Sequence, residues 1–354
     1  MMPSTLREEE MTKATMPEPL RPQVWRVLHT PGSALTRMGV GWAVVTLVGL
    51  GAPYVLTAYH LQVAVHGAIL GLLALSIGWL LRQTGLLSFG HAAFYGLAGY
   101  TAALAATRWE LSTPLAVALG LVAGAALALI VGALIVRVPG IAFAMLTLAI
   151  GQLIYVASTQ SRGLTNGFDG LVASFRGNFL GQPAETYTNA VTAWPLVWAV
   201  LMLAVACLWW VSRTVFGRRL TAIRENEERV RFSGQGTFLP FVLAFTISGA
   251  FAGAAGALSV LSLGFVSPND IYWTTSGVAL IMAVIGGVGS VAGPPIGALA
   301  FVALQAALAE SEHYQVIIGI ALIVVVAIAP GGITALLERG KGAVRLPGRR
   351  SRRA

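Results

Sequence analysis

The chain has 354 residues, of which 56% are hydrophobic and 10% are charged, and its mean hydropathy is +0.76. Soluble globular proteins carry about 25% charged residues, so this composition excludes an ordinary soluble domain and predicts an all-α polytopic membrane protein. The net charge of +9 does not indicate nucleic-acid binding, because the basic residues are confined to loops and tails. The single cysteine, Cys207, excludes a disulfide framework and a cysteine metal site.

Apolar runs long enough to cross a membrane follow one another along the chain, since a crossing helix needs about 20 residues. Ten candidates lie roughly at 39–57, 61–81, 86–106, 114–136, 141–160, 193–212, 238–262, 274–288, 295–309 and 316–329. The last three are short, so we expect about 8–10 transmembrane helices in a domain covering 39–335. The flanking segments 1–38 and 336–354 are polar and basic, which predicts disordered cytoplasmic tails.

The distribution of basic residues predicts the orientation of the chain. With both termini in the cytoplasm, the tails and inner loops hold 20 of the 23 basic residues, and only Arg108, Arg162 and Arg176 lie outside. Inner loops of membrane proteins are enriched in Lys and Arg. The sequence therefore predicts an arrangement with both termini inside.

The segment 213–236 is the one long polar stretch between apolar runs, and six arginines lie in it. Leu220, Ile223 and Val230 recur at roughly helical spacing and form one apolar face. This pattern predicts a short amphipathic helix in a cytoplasmic loop. From these residues alone, the segment is either a solvated basic loop or a docking helix for a soluble motor subunit.

Two glycine-rich segments, 85–100 and 286–297, each begin a predicted helix that runs outward. Their glycines and serines permit an unwound backbone, which membrane proteins tolerate only inside protein or beside a water-filled cavity. His91 lies in the first segment and is either a hydrogen-bonded structural residue or part of a transport path. Tyr95 and Tyr100 follow it at helical spacing, and either line such a path or pack.

Several kinds of chemistry have no support in the sequence. No carboxylate lies inside any predicted span, whereas proton- and sodium-coupled carriers need a group that changes charge within the membrane. The sequence also lacks a phosphate-binding loop with its lysine, and it has no metalloprotease or serine-hydrolase motif. We therefore expect a transport protein, not an enzyme, whose energy comes from outside this chain unless it works as a channel.

Four segments, in this order along the chain, resemble signatures of the permeases of branched-chain amino acid ABC transporters, the M-type subunit in particular. They read GLLSFGHAAFYGLAGYTAA at 85–103, TNGFDGL at 165–171, RLTAIRENE at 219–227 and GGVGSVAGP at 286–294. The resemblance covers about residues 60 to 335 and implies the fold of an ABC importer permease, with both termini inside.

The resemblance also implies partners and a location. The chain would be one of two unlike permease subunits in the bacterial plasma (inner) membrane, surrounded by lipid. Two cytoplasmic ABC ATPases would bind ATP and Mg²⁺, and a periplasmic or lipid-anchored solute-binding protein would deliver the solute. No cofactor, metal or nucleic acid would be bound by this chain.

Such permeases present a coupling helix to the ATPase, commonly within a Glu-Ala-Ala-x-x-x-Gly pattern. Glu228 and Gly234 keep that spacing, although Arg229 and Val230 replace the small pair. We therefore expect a helix from Leu220 to Gly234 to dock on the ATPase. The expected coupling residues are Leu220, Ile223, Arg224, Glu225, Asn226, Glu228 and Gly234.

The remaining expected sites concern the solute. The residues expected along the substrate path are Ser88, His91, Tyr95, Tyr100 and Ser290. The outer loop 161–192 should turn tightly, because Gly and Asn tolerate positive φ, and its Thr165, Asn166 and Asp169 are expected to face the binding protein. The resemblance implies a branched-chain or related hydrophobic amino acid as the solute. A urea or amide permease of the same family and an ion-coupled carrier are the alternatives.

Overall fold

The computed structural model describes residues 42, 45–311, 313, 316–320, 323 and 331–335. The chain divides into two compact units, Met1–Val48 and Gly49–Ala354. In the first unit, residues 42 and 45–48 are helical, and the Thr46 hydroxyl donates to the Trp42 carbonyl at 2.8 Å. All labelled elements below belong to the second unit. The predicted tails 1–38 and 336–354 lie outside the described residues.

The described part of the second unit is built from α-helices. They are α1 (Ala58–Thr84), α2 (His91–Thr107), α3 (Thr113–Ile135), α4 (Ile141–Gln160), α5 (Arg162–Thr165), α6 (Ala190–Arg213), α7 (Val215–Glu225), α8 (Glu227–Phe232), α9 (Phe238–Leu263), α10 (Trp273–Gly286) and α11 (Gly293–Ala307). Short strands are β1 (Leu171–Val172), β2 (Asn178–Phe179), β3 (Gln182–Pro183) and β4 (Phe265–Val266), and 3₁₀ turns cover Ala52–Tyr54, Gly167–Asp169, Ala184–Thr188 and Pro268–Asp270.

Eight of the ten predicted spans, from 61–81 to 295–309, each correspond to one of these helices. Among the described residues, α1, α3, α4, α6 and α9 are long and apolar enough to cross a membrane. Helices α2, α10 and α11 are shorter, with 17, 14 and 15 residues. The chain is thus an all-α polytopic membrane protein. The first and tenth predicted runs, 39–57 and 316–329, lie partly outside the described residues.

Polar residues at the helix ends explain several boundaries. The Asn189 side chain accepts from the Val191 N–H at 3.0 Å where α6 begins, and the Thr214 hydroxyl accepts from the Gly217 N–H at 3.3 Å where α7 begins. Such caps satisfy N–H groups that have no partner within the helix. Helix α3 begins with Pro114 in its first turn, where the missing N–H costs nothing.

Helices α1 and α9 form the centre of the fold, and α9 packs closely against α2 and α3. A Cβ atom on Gly124 of α3 would lie 2.9 Å from the Gly253 Cα of α9, and one on Gly256 would lie 1.9 Å from the Tyr95 carbonyl oxygen of α2. Only glycine permits these approaches. Close packing at small residues is a main source of helix association in membranes, and these glycines provide it between α9 and its neighbours.

The loops at one end of the bundle are held together by pairing and hydrogen bonds. Strand β1 pairs antiparallel with β4, and the Arg108 Nη1 donates to the Gly163 carbonyl at 2.6 Å. The backbone of Asn166, Gly167 and Gly170 has φ of 64°, 64° and 72°, which confirms the predicted tight turns in the loop 161–192. This end carries Arg108, Arg162 and Arg176, the arginines that the sequence assigned to the outside.

Candidate coupling surface and transport path

Helix α7 is fixed to the opposite end of the bundle by its apolar face. Leu220 and Ile223 are 0% and 2% exposed, so these two residues of the predicted apolar face are buried as expected, whereas Val230, the third, is only half-buried. A guanidinium N–H of Arg224 donates to the Arg82 carbonyl at the end of α1. That carbonyl has no partner within its own helix, so Arg224 caps α1 and ties α7 to it.

The predicted single helix from Leu220 to Gly234 is wrong, because the structure has two helices separated at Asn226. Asn226 is extended, with φ −160° and ψ 96°, and its side chain accepts from the Arg229 N–H at 2.8 Å. Asparagine is a favoured N-cap residue because its side-chain oxygen satisfies a free N–H of the first turn. Asn226 therefore ends α7, begins α8 and changes the direction of the chain.

Helix α8 projects from the bundle, and none of its residues is buried. Glu225 and Glu228 are exposed, and Phe232 is 90% exposed. Gly234 ends the segment with φ of +79°, a conformation that favours glycine. The Glu227 carboxylate accepts from the Thr237 hydroxyl at 2.8 Å and so ties the base of α8 to the beginning of α9.

A cleft of about 510 Å³ opens beside these two helices. Its walls are α7 and α8, the turn between α3 and α4, and the segment after α1. Five charged residues line it: Arg137, Arg224, Glu225, Glu227 and Arg231. The Arg137 guanidinium also stacks on the Phe238 ring at 4.5 Å. The structure thus brings together, at one end of the bundle, basic residues that the sequence assigned to the cytoplasm.

Both glycine-rich segments contain an unwound stretch before the helix that follows, as the sequence predicted. Helix α1 ends at Thr84, Gly85 follows it with φ of 74°, and α2 begins only at His91 rather than near residue 86. Helix α10 ends before Gly287, with φ of 102°, and α11 begins at Gly293.

Ser88 and His91 contact one another inside the bundle. The His91 Nδ1 lies 3.0 Å from the Ser88 Oγ, and its Nε2 lies 2.7 Å from the Ser248 Oγ of α9. Both Ser88 and His91 are 0% exposed. In this conformation they join helices, so contact with a transported solute requires those helices to part, and their role in the path stays a prediction.

The other three expected path residues are arranged differently. Tyr95 and Tyr100 are buried in α2, and the Tyr100 hydroxyl has no hydrogen-bond partner among the described residues. Ser290 is half-buried in the second unwound segment, where its Oγ accepts from the Ala292 N–H at 3.3 Å. The structure therefore does not gather the five residues into one pocket.

The outer-loop residues divide into one internal and two exposed side chains. The Thr165 hydroxyl contacts the Ser158 and Ser161 carbonyls at the end of α4, whereas Asn166 and Asp169 are exposed. Nearby, burial raises the pKa of the Asp270 carboxyl, and hydrogen bonds from Ser267 together with the charge of His66 oppose that rise. Only Asn166 and Asp169 of the expected set are free to face a partner.

Two features of the inner end were missed by sequence reasoning. Phe232 is an exposed aromatic residue at the end of α8. The one feature of the sequence that could have indicated its exposure is that an aromatic residue stands within a polar helix. The second feature is a hydrogen-bond network among Trp79, Gln83, Ser212 and Thr221, which joins α1, α6 and α7. The residues that it joins are 129 to 138 positions apart in the sequence, so local sequence patterns could not predict it.

A helical bundle with several membrane-length spans, unwound segments in its interior and one projecting polar helix is the architecture of a multi-pass membrane transport subunit. The chain belongs to the family of permease components of the branched-chain amino acid transport system, whose model matches residues 59–327.

Individual relatives are similar over most of this chain. The permease protein LivM of the high-affinity branched-chain amino acid transport system of Salmonella typhimurium is 26% identical over 77% of this chain and 68% of its own length. LivH of the high-affinity branched-chain amino acid transport system of Escherichia coli is 28% identical over 78% of this chain and 95% of its own length. The autoinducer 2 import system permease protein LsrC of an Enterobacter species is 30% identical over 71% of this chain and 62% of its own length. No solved structure gives a significant match.

Proposed function

We propose that this chain is one of two permease subunits of an ATP-driven importer for branched-chain or related hydrophobic amino acids in the bacterial plasma (inner) membrane. A second permease completes the path, two cytoplasmic ATPases bind ATP and Mg²⁺, and a solute-binding protein delivers the solute outside. The chain itself holds no cofactor. The family to which it belongs supports this assembly, and both LivM and LivH, the permeases of one such system, are among its relatives.

The observation that carries the proposal is the combination of an anchored α7 with a projecting α8. A segment that transmits force must be fixed to the spans at one side and free to contact a partner at the other. Leu220 and Ile223 provide the first property, and Glu228 and Gly234 lie in the part that is free. ATP-driven closure of the ATPases would move α8, and α7 would carry that motion to α1 through Arg224.

Substitutions in α8 and its terminal turn test this assignment in the complete complex. Glu228→Ala and Gly234→Ala should reduce solute-stimulated ATP hydrolysis at least tenfold, because the docking face loses its charge or its left-handed turn, while membrane levels of the chain stay normal. Gly181→Ala is a matched control: Gly181 also has a positive φ and open space within 4 Å of an added Cβ atom, but it lies in the outer loop. Unchanged stimulation in both Glu228→Ala and Gly234→Ala would contradict the docking role.

We propose that the solute path runs beside α2 and opens when the helices around it part. The Tyr100 hydroxyl supports this, because it lacks a partner within the described part of the chain, and a buried hydroxyl in that state is unfavourable and available to a solute. Ser88, His91, Tyr95 and Ser290 would become accessible in the same state. Cysteines introduced at Ser88 and Tyr100 in a Cys207→Ser background should react with a soluble thiol reagent faster during ATP turnover than at rest.

The solute class needs its own test, because one relative is a permease of an autoinducer 2 import system. An apolar path with a few hydroxyl groups suits a zwitterion with an aliphatic side chain, held weakly enough to be released. The cognate binding protein should bind leucine, isoleucine or valine in a calorimetric screen that also includes urea, short amides and autoinducer 2. Binding of one of the other compounds alone would replace the amino acid as the proposed solute.

A further inference from the structure

Three arginines lie close together where α1, α6 and α7 end. Arg82 lies in the last turn of α1, Arg213 is the last residue of α6, and Arg224 lies in the last turn of α7. Among the described residues, the charges of Arg224 and Arg213 repel the Arg82 guanidinium, which is itself partly buried. We call these three residues the arginine cluster.

Neutral hydrogen bonds hold the arginine cluster together against this repulsion. The Ser212 Oγ accepts from the Trp79 Nε1 at 2.9 Å and from the Gln83 Nε2 at 2.5 Å, and the Gln83 Oε1 accepts from the Thr221 hydroxyl at 3.2 Å. Gln83 and Ser212 are the immediate neighbours of Arg82 and Arg213. The helix ends are therefore fixed, and the guanidinium groups cannot separate by moving the backbone.

Interactions within the described part of the chain do not neutralise the cluster. Each helix C-terminus contributes roughly half a negative charge, so three of them offset about half of the three full positive charges. The two ion pairs among the described residues join Arg176 to Glu110 and Arg231 to Glu227, and neither includes the arginine cluster. A net positive charge remains at this point of the surface.

Two tryptophans beside the cluster indicate that it lies near the lipid headgroups. The Arg213 guanidinium stacks on the Trp209 ring at 4.2 Å, and the adjacent Trp210 is 64% exposed. Both tryptophans lie in the last turns of a membrane-length helix, and tryptophan is enriched where a membrane meets water. Because tryptophan favours this boundary, the exposed Trp210 and the fixed cations beside it are better suited to contact with lipid than with a soluble partner.

We propose that the arginine cluster binds the phosphate of an anionic phospholipid in the cytoplasmic leaflet. Guanidinium groups match phosphate oxygens with paired hydrogen bonds, and basic pockets between membrane helices on the cytoplasmic side bind anionic headgroups. The bound phosphate offsets the repulsion among the three arginines. Because Arg224 also caps α1, the lipid reinforces the junction through which α7 is fixed to the spans.

Lipid retention by the full-length chain tests this proposal directly. The purified protein is placed in nanodiscs of phosphatidylcholine with a graded fraction of phosphatidylglycerol, and bound lipid is counted by native mass spectrometry after release. We expect wild type to retain phosphatidylglycerol preferentially, and Arg82→Gln and Arg213→Gln to weaken that preference at least fivefold. Arg218→Gln is the matched control, because it removes the same charge from an exposed position on α7 and should behave as wild type.

Three outcomes would overturn the proposal. The first is equal retention of the two lipids by wild type, a measurement that involves no variant. The second is an equal loss in all three variants, which would indicate a response to net charge alone. The third is measured on the complete complex in discs of phosphatidylcholine only: dissociation of the ATPase from Arg213→Gln there would make the cluster a protein-docking site.

Discussion

His91 joins three helices through a chain of hydroxyl groups that also fixes its tautomer. The Ser248 hydroxyl donates to the Ser76 carbonyl of α1 at 2.8 Å, so its oxygen accepts from the His91 Nε2–H. The Ser88 hydroxyl then donates to the His91 Nδ1, while its oxygen accepts from the Gly90 N–H at 3.3 Å. Every polar atom of the ring has a partner, which fits a buried neutral imidazole.

Replacement of His91 should therefore affect stability before it affects solute affinity. His91→Ala removes two buried hydrogen bonds and leaves a cavity, so we expect a loss of about 2–4 kcal/mol, measured as a lower melting temperature of the purified complex. Exposed His60 is the control, since His60→Ala should change stability little. Normal melting of His91→Ala combined with a large rise in the KM for solute would instead identify His91 as a solute-binding residue.

Asp270 should make stability dependent on pH at the outer end. Burial raises its pKa above the ordinary 3.8, so the folded chain holds the proton more tightly than the unfolded chain does. The stabilisation is therefore fully present below pH 3.8 and declines as the pH rises through the folded pKa. Asp270→Asn should flatten the dependence of melting temperature on pH in this window. An unchanged slope in Asp270→Asn would contradict this assignment.

At the scale of elements, glycine contacts determine how closely α9 approaches its neighbours. Membrane helices gain little from hydrophobic burial against one another, so close van der Waals packing at small residues has a large share in their association. Gly256 lies where a side chain would overlap the Tyr95 carbonyl of α2. The contact fixes α9 against the helix that begins at His91.

Gly256→Ala should separate α9 from α2, because its methyl carbon would lie 1.9 Å from a backbone oxygen that has no room to move. We expect a loss of about 2 kcal/mol or more, measured by thermal unfolding in detergent. Gly277→Ala in α10 is the matched control, since nothing lies within 4 Å of its added carbon and alanine favours helix over glycine by about 1 kcal/mol. Equal stability of the two variants would refute the packing argument.

The sequence predicted elements better than it predicted their junctions. Apolar length was enough to place α1 and α9, and the glycine runs after residues 85 and 286 predicted both unwound segments. The break at Asn226 was missed because asparagine within a polar helix gives no sign of whether it caps or continues. The network of Gln83, Ser212 and Thr221 could not be predicted, because it depends on contacts between distant helices.

At the scale of the whole molecule, charge is separated from the apolar interior. The predicted spans contain no carboxylate, and a cluster of arginines and the projecting helix α8 lie at one end. A group that titrates within the membrane is the usual means of coupling transport to an ion gradient. The arrangement instead supports a path whose energy arrives from ATPases at the end that carries α7 and α8.

Solute accumulation in proteoliposomes tests this central claim most directly. The purified chain alone, and the complete complex with both permeases, the ATPases and the binding protein, are reconstituted and given labelled leucine with either an imposed proton or sodium gradient or Mg-ATP. The account predicts accumulation only by the complete complex with ATP. Uptake against a concentration gradient by the chain alone, driven by either ion, would contradict it.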